Sequence, residues 1–163
     1  MKTKSIFIFA AIMVLFSCDS DTEIDKEKPV IHTDFINAFP SYCDTIYFGE
    51  TFNLRALFSD NEELGAYSID IHNNFDHHSH GFNIEECELG PKKEPVNPFV
   101  FLEDYEIPAG QNEYEVYLPM TISSENGEGL FDEGDYHFQI NLTDKEGWST
   151  PLGLSIKMLY RKK

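Results

Sequence analysis

The sequence predicts an all-β chain folded as a single β-sandwich of about seven strands. Three observations carry this. Short segments alternate apolar and polar residues with a period of two, turn residues separate them, and no segment sustains a helical period. Aromatic residues make up 14% of the 163-residue chain, with 14 Phe and 8 Tyr, and such residues favour pleated, half-buried surfaces.

Val30–Phe35 supplies the first expected strand. Phe52, Leu54, Ala56 and Phe58 then alternate with Asn53, Arg55 and Leu57, and Tyr67, Ile69 and Ile71 alternate with Ser68, Asp70 and His72. Phe99–Tyr105 is a shorter candidate. Tyr114, Val116, Leu118, Met120 and Ile122 form the next stripe, with Glu113, Glu115 and Tyr117 opposite. Tyr136, Phe138, Ile140 and Leu142 alternate with His137, Gln139 and Asn141, and Leu152, Leu154, Ile156 and Met158 close the series. Asp132-Glu133-Gly134-Asp135-Tyr136 resembles the tyrosine corner, D-x-G-x-Y, of immunoglobulin-like domains, in which the tyrosine hydroxyl ties a loop to its strand. Phe138 then stands where antibody domains carry their second cysteine, so any disulfide here is of another kind. Turns at Ser59–Glu63 and Thr143–Gly147 resemble those of extracellular bacterial immunoglobulin-like repeats.

Twelve Lys and Arg face 29 Asp and Glu, a formal net charge of −17. That field repels phosphates and excludes a nucleic-acid binder that works by neutralising them. Two of the basic residues, Lys2 and Lys4, precede an apolar run from Ile6 to Phe16. A basic start and an apolar run of about ten residues read as a secretory signal, too short for a stable span. Leu15-Phe16-Ser17-Cys18 resembles the bacterial lipobox, which implies cleavage before Cys18 and acylation of that cysteine. The alternative is a plain signal peptide with an incidental cysteine. The expected organisation is a signal peptide at 1–17, a lipidated cysteine and acidic tether at 18–28, and the sandwich at 29–163. The implied location is the outer membrane of the cell envelope, held through the lipid anchor, with surface display favoured by the acidic run that begins at Asp19.

Without Cys18, Cys43 and Cys87 are an even pair in an oxidising compartment, and a disulfide is expected between them. A metal-binding Cys87 thiolate beside Glu85 and Glu86 is the competing reading.

Phe58-Ser59-Asp60-Asn61-Glu62-Glu63-Leu64-Gly65, the run from Ile69 to His80, Gly134-Asp135-Tyr136-His137 and the run from Leu142 to Trp148 carry a further likeness. On these residues the chain resembles a family of uncharacterised Bacteroidetes-type lipoproteins with a domain of unknown function. The resemblance implies the fold and the address, and it brings no activity with it.

Four of the six histidines, His72, His77, His78 and His80, fall within nine residues. Clustered neutral imidazoles suit zinc first and copper second. Asp70, Asp76, Glu85 and Glu86 are placed to complete a ligand shell or orient the rings from behind. In an immunoglobulin-type sandwich the strands that hold His72 and His137 are antiparallel neighbours, and both residues fall at the same end. Parity turns Ile71 and Tyr136 inward and both histidines outward. The expected site is therefore His72 and His137 on strands, completed by two of His77, His78 and His80. Bland solvation of the imidazoles beside carboxylates is the competing reading. A third uses Asp60, Asn61, Glu62 and Asp144 at the opposite end as Ca²⁺ ligands, although turn chemistry also accounts for those residue types.

No G-x-S-x-G, H-E-x-x-H, P-loop or Rossmann pattern occurs, so no catalytic constellation is expected. The alternative to a metal-binding protein is an immunoglobulin-like accessory module for a surface glycan, adhesin or receptor complex. Its candidate surface is the Lys92–Phe101 segment, with Pro91, Pro95, Pro98 and Phe99 near Phe101; the alternative is that those prolines only mark a loop.

Overall fold

A computed structural model describes residues 25–32, 34–79 and 87–162. Cys18, His80, Glu85 and Glu86, together with the expected signal peptide, lie outside the described residues. The chain is all-β. Its strands are β1 (Val30–His32), β2 (Thr45–Tyr47), β3 (Thr51–Ser59), β4 (Leu64–Asn73), β5 (Phe101–Glu106), β6 (Glu113–Thr121), β7 (Glu125–Asn126), β8 (Gly129–Leu130), β9 (Gly134–Asp144) and β10 (Ser149–Leu159).

The seven alternating segments of the sequence are β1, β3, β4, β5, β6, β9 and β10. β2, β7 and β8, two or three residues long, are not among the expected segments; like the equally short β1 they are too short for alternation to identify them. The first strand ends at His32, so Phe35 lies beyond it.

One sheet has the order β1-β3-β6 and the other β2-β10-β9-β4-β5, while β7 and β8 form a small ribbon. The sheets pack face to face as an immunoglobulin-like sandwich around Leu54, Phe58, Ile69, Ile71, Tyr136, Phe138, Leu142 and Met158, each at most 1% exposed. Phe138 contacts Phe52 of the facing sheet edge-on, with ring centroids 6.5 Å apart. An apolar contact thus fills the place of the absent core cysteine.

The tyrosine corner forms as its residues predict. Tyr136 Oη donates to the Asp132 carbonyl at 2.7 Å and accepts the Phe99 amide at 3.1 Å. Gly134 is required beside it for two reasons: its φ is +145°, and a Cβ there would stand 2.9 Å from the Phe75 ring.

The connection from β4 to β5 folds back over the outer face of the five-stranded sheet. Asn74 N donates to the Asp135 carbonyl at 2.8 Å, and Lys93 N donates to the Phe75 carbonyl at 3.1 Å. Asp132 Oδ2 accepts the amides of Val96 and Asn97 at 2.7 and 2.8 Å. The Cys43–Cys87 disulfide fastens the same connection to the chain just before β2, with Cα atoms 5.5 Å apart. This pairing leaves Cys87 no thiolate for a metal. Phe99 packs inward at 8% exposure and drops out of the expected docking surface. Pro98 precedes it, and together they mark a tucked loop.

Candidate metal centre

The site begins with strand pairing. β4 and β9 run antiparallel, and His72 stands directly opposite His137 in their register. Ile71 and Tyr136 face the core at 0% exposure, so both histidines lie on the outer face by alternation. Outer does not mean exposed here. His137 is 1% exposed because the folded-back connection covers it, whereas the His72 side chain keeps 21%.

His78 arrives from that connection. Its ring centroid lies 5.7 Å from that of His72 and 5.1 Å from that of His137, and the two strand histidines are 5.4 Å apart. Three imidazoles on one tetrahedral zinc, with Zn–N near 2.05 Å, would stand with centroids roughly 5 Å apart. The ring centroids fall near that spacing, but among the described residues no choice of one nitrogen from each ring brings all three within 4.8 Å of one another, so an ion would have to draw the rings inward.

The second nitrogen of each ring is engaged by a group that can only accept. His72 Nδ1 donates to Asp70 Oδ1 at 2.8 Å, and His78 Nδ1 donates to Asp76 Oδ1 at 2.5 Å. His137 Nε2 donates to the carbonyl oxygen of His78 at 3.2 Å. In the neutral rings these partners fix the tautomers. The lone pairs accordingly fall on Nε2 of His72, Nε2 of His78 and Nδ1 of His137. Carboxylates behind coordinating histidines are the usual means of setting ring orientation. The hydrogen bond from His78 holds the Asp76 carboxyl below its ordinary range, so this partner is ionised at neutral pH. A cleft lined by His72, Asp76, His78, Lys93 and Glu94 opens the site to solvent.

His77 takes another course. Its φ is +60°, and its Nε2 points toward Asp135 Oδ2 at 3.9 Å, away from the other three rings. His80, Glu85 and Glu86 lie outside the described residues. His32 is remote and shares a 2.7 Å hydrogen bond with Ser59.

A family model for a domain of unknown function, DUF4625, matches residues 16–159. The chain belongs to this family. No curated protein matches the chain. The DUF4625 match takes in both strand histidines, the loop histidines and the disulfide, so the whole constellation lies within the family's domain.

Sequence reasoning missed Asp135 in this DUF4625 domain. It is 5% exposed, accepts the Gly90 amide at 2.7 Å and meets Lys157 Nζ at 3.0 Å. A signal was present, since Asp135 shares the outer parity of His137. Its burial depends on the covering connection, which no local pattern encodes.

Proposed function

We propose that the chain is an envelope-anchored, metal-binding lipoprotein that takes Zn²⁺, or Cu²⁺ as the second choice, on His72, His78 and His137. What supports the reading most is the meeting of three imidazoles from two strands and a loop, with ring centroids 5.1–5.7 Å apart and the Asp70 and Asp76 carboxylates behind two of them. His80 belongs to the proposed ligand set, with water as the other source of a fourth donor. His77 is assigned to Asp135 instead. The role is binding, buffering or delivery, with no catalytic step assigned.

The lipid anchor on Cys18 and the outer-membrane address rest on the lipobox resemblance. Labelling with a radioactive fatty acid tests them, and loss of label in Cys18→Ala is expected. Titration calorimetry of the full chain with Zn²⁺ and Cu²⁺ tests the metal site. Low-micromolar or tighter affinity, lost in His72→Ala/His137→Ala, is the expected outcome. Affinity no better than high micromolar, or unchanged in that variant, refutes it.

One observation favours a second reading, an accessory module for an envelope protein or glycan. β5 is an edge strand of the five-stranded sheet, and Val96, Val100 and Leu102 on and before it are 85%, 65% and 69% exposed. An unpaired edge with apolar side chains is a template for strand addition. Leu102→Lys would abolish partner binding under this reading and leave metal affinity unchanged.

A further inference from the structure

The opposite end of the sandwich carries a different kind of cluster. Asp144 closes β9, Asp60 follows β3 in the turn into β4, and Asp25 lies on the segment that leads into β1. One carboxylate oxygen from each lies within 4.8 Å of the other two. Among the described residues, no Lys or Arg pairs with any of the three.

The two oxygens of each carboxylate have different fates. Asp144 Oδ1 accepts the amides of Gly147 and Trp148 at 2.7 and 2.8 Å. Asp60 Oδ2 accepts the Glu62 amide at 3.0 Å, and Asp25 Oδ1 accepts the Glu27 amide and Asn61 Nδ2 at 3.0 and 2.9 Å. The other oxygens, Asp25 Oδ2, Asp60 Oδ1 and Asp144 Oδ2, are sealed from solvent and accept no hydrogen bond among the described residues. Asp144 is decisive because the residue is only 4% exposed. A buried carboxylate oxygen without a donor is costly, and two further carboxylates beside it raise the cost.

We propose that Asp25, Asp60 and Asp144 bind Ca²⁺, and that the ion clamps the segment before β1 onto this end of the sandwich. The donors are all hard carboxylate oxygens, which suit Ca²⁺ and not the soft or imidazole-seeking metals. Three carboxylates leave positions for carbonyl oxygens or water in a shell of six to eight donors. Asp25 is the only one of the three outside the strands and turns of the sandwich. Its carbonyl also accepts Trp148 Nε1 at 3.0 Å, so the ion and the indole would grip the same residue. Asp144 stands close to strand β4 as well: a Cβ on Gly65 would fall 2.6 Å from the Asp144 carbonyl oxygen. The site is built on backbone that cannot readily move apart. It lies a strand's length from the histidines and stands independently of them.

Trp148 is the sole tryptophan of the chain, which makes it a specific reporter. The full chain, stripped with chelator, is titrated with Tb³⁺ under tryptophan excitation, and Ca²⁺ is then added as competitor. Saturable sensitised emission, reversed by millimolar or lower Ca²⁺, is expected. Asp25→Asn and Asp144→Asn should each weaken Ca²⁺ competition at least tenfold, while His72→Ala/His137→Ala should leave it unchanged. Hydrogen exchange should show Ca²⁺ slowing amides in residues 25–32 of the wild type and not of Asp25→Asn. Asp144→Asn retains Oδ1 for the turn amides, and Asp25 lies outside the strands, so Asp25→Asn tests binding apart from folding. No sensitised emission, emission unchanged in the Asp25 variant, or emission lost only in the histidine variant overturns the proposal.

Discussion

His137 Nε2 lies 3.2 Å from the carbonyl oxygen of His78, so a strand residue buried at 1% exposure holds the backbone of the loop above it. Truncation to alanine removes that donor and opens a cavity. His137→Ala should therefore cost about 2–3 kcal/mol in denaturant unfolding. His72→Ala, at a partly exposed position, should cost about 1 kcal/mol or less. Both should lose Zn²⁺ affinity by at least tenfold in titration calorimetry. Equal stability of the two variants would contradict the burial argument.

Tyr136 ties two segments through one hydroxyl, donating to Asp132 and accepting from Phe99. Tyr136→Phe keeps the ring and removes both bonds, leaving the Phe99 amide without its acceptor. Destabilisation of about 2 kcal/mol is expected in chemical denaturation. A change below about 0.5 kcal/mol would mean the corner contributes packing alone.

The Cys43–Cys87 disulfide spans a sequence separation of 44. Cys43→Ser/Cys87→Ser should lower stability by about 4 kcal/mol in the chain-entropy model. Because the bond fastens the connection that carries His78, reduction should also weaken Zn²⁺ binding. Hydrogen exchange should then show the amides of residues 74–79 opening before those of β4 and β9.

Stability should fall at alkaline pH. Burial raises the hydroxyls of Tyr67 and Tyr136 well above their ordinary value of 10.0 and pushes Tyr105 up to about 12. Between pH 10 and the raised values, the unfolded chain releases protons that the folded chain keeps. The unfolded state then binds fewer protons, so unfolding becomes easier as pH rises. Urea midpoints should be flat with respect to these groups near pH 8–9 and decline above about pH 10. Tyr67→Phe should flatten the decline.

The sequence alone determined the strands and their facing. Alternation at Phe52–Phe58, Tyr67–Ile71 and Tyr136–Leu142 identifies inward residues because side-chain direction in a strand repeats every two positions. The tyrosine corner placed β9, and cysteine parity paired Cys43 with Cys87. The opposition of His72 and His137 was legible too, since it follows from strand order and parity. Tertiary structure decided what a loop does after it leaves a strand. Nothing local distinguishes His77 from His78, yet one turns to Asp135 and the other stacks beside His72. Their choice depends on how the connection closes over β9, under a disulfide and the Asp135 carboxylate. Asp25 is the same lesson at the other end. Its sequence neighbours read as a solvated acidic tether, and only the packed sandwich brings it against Asp60 and Asp144, because convergence across 119 positions is a property of the fold and not of spacing.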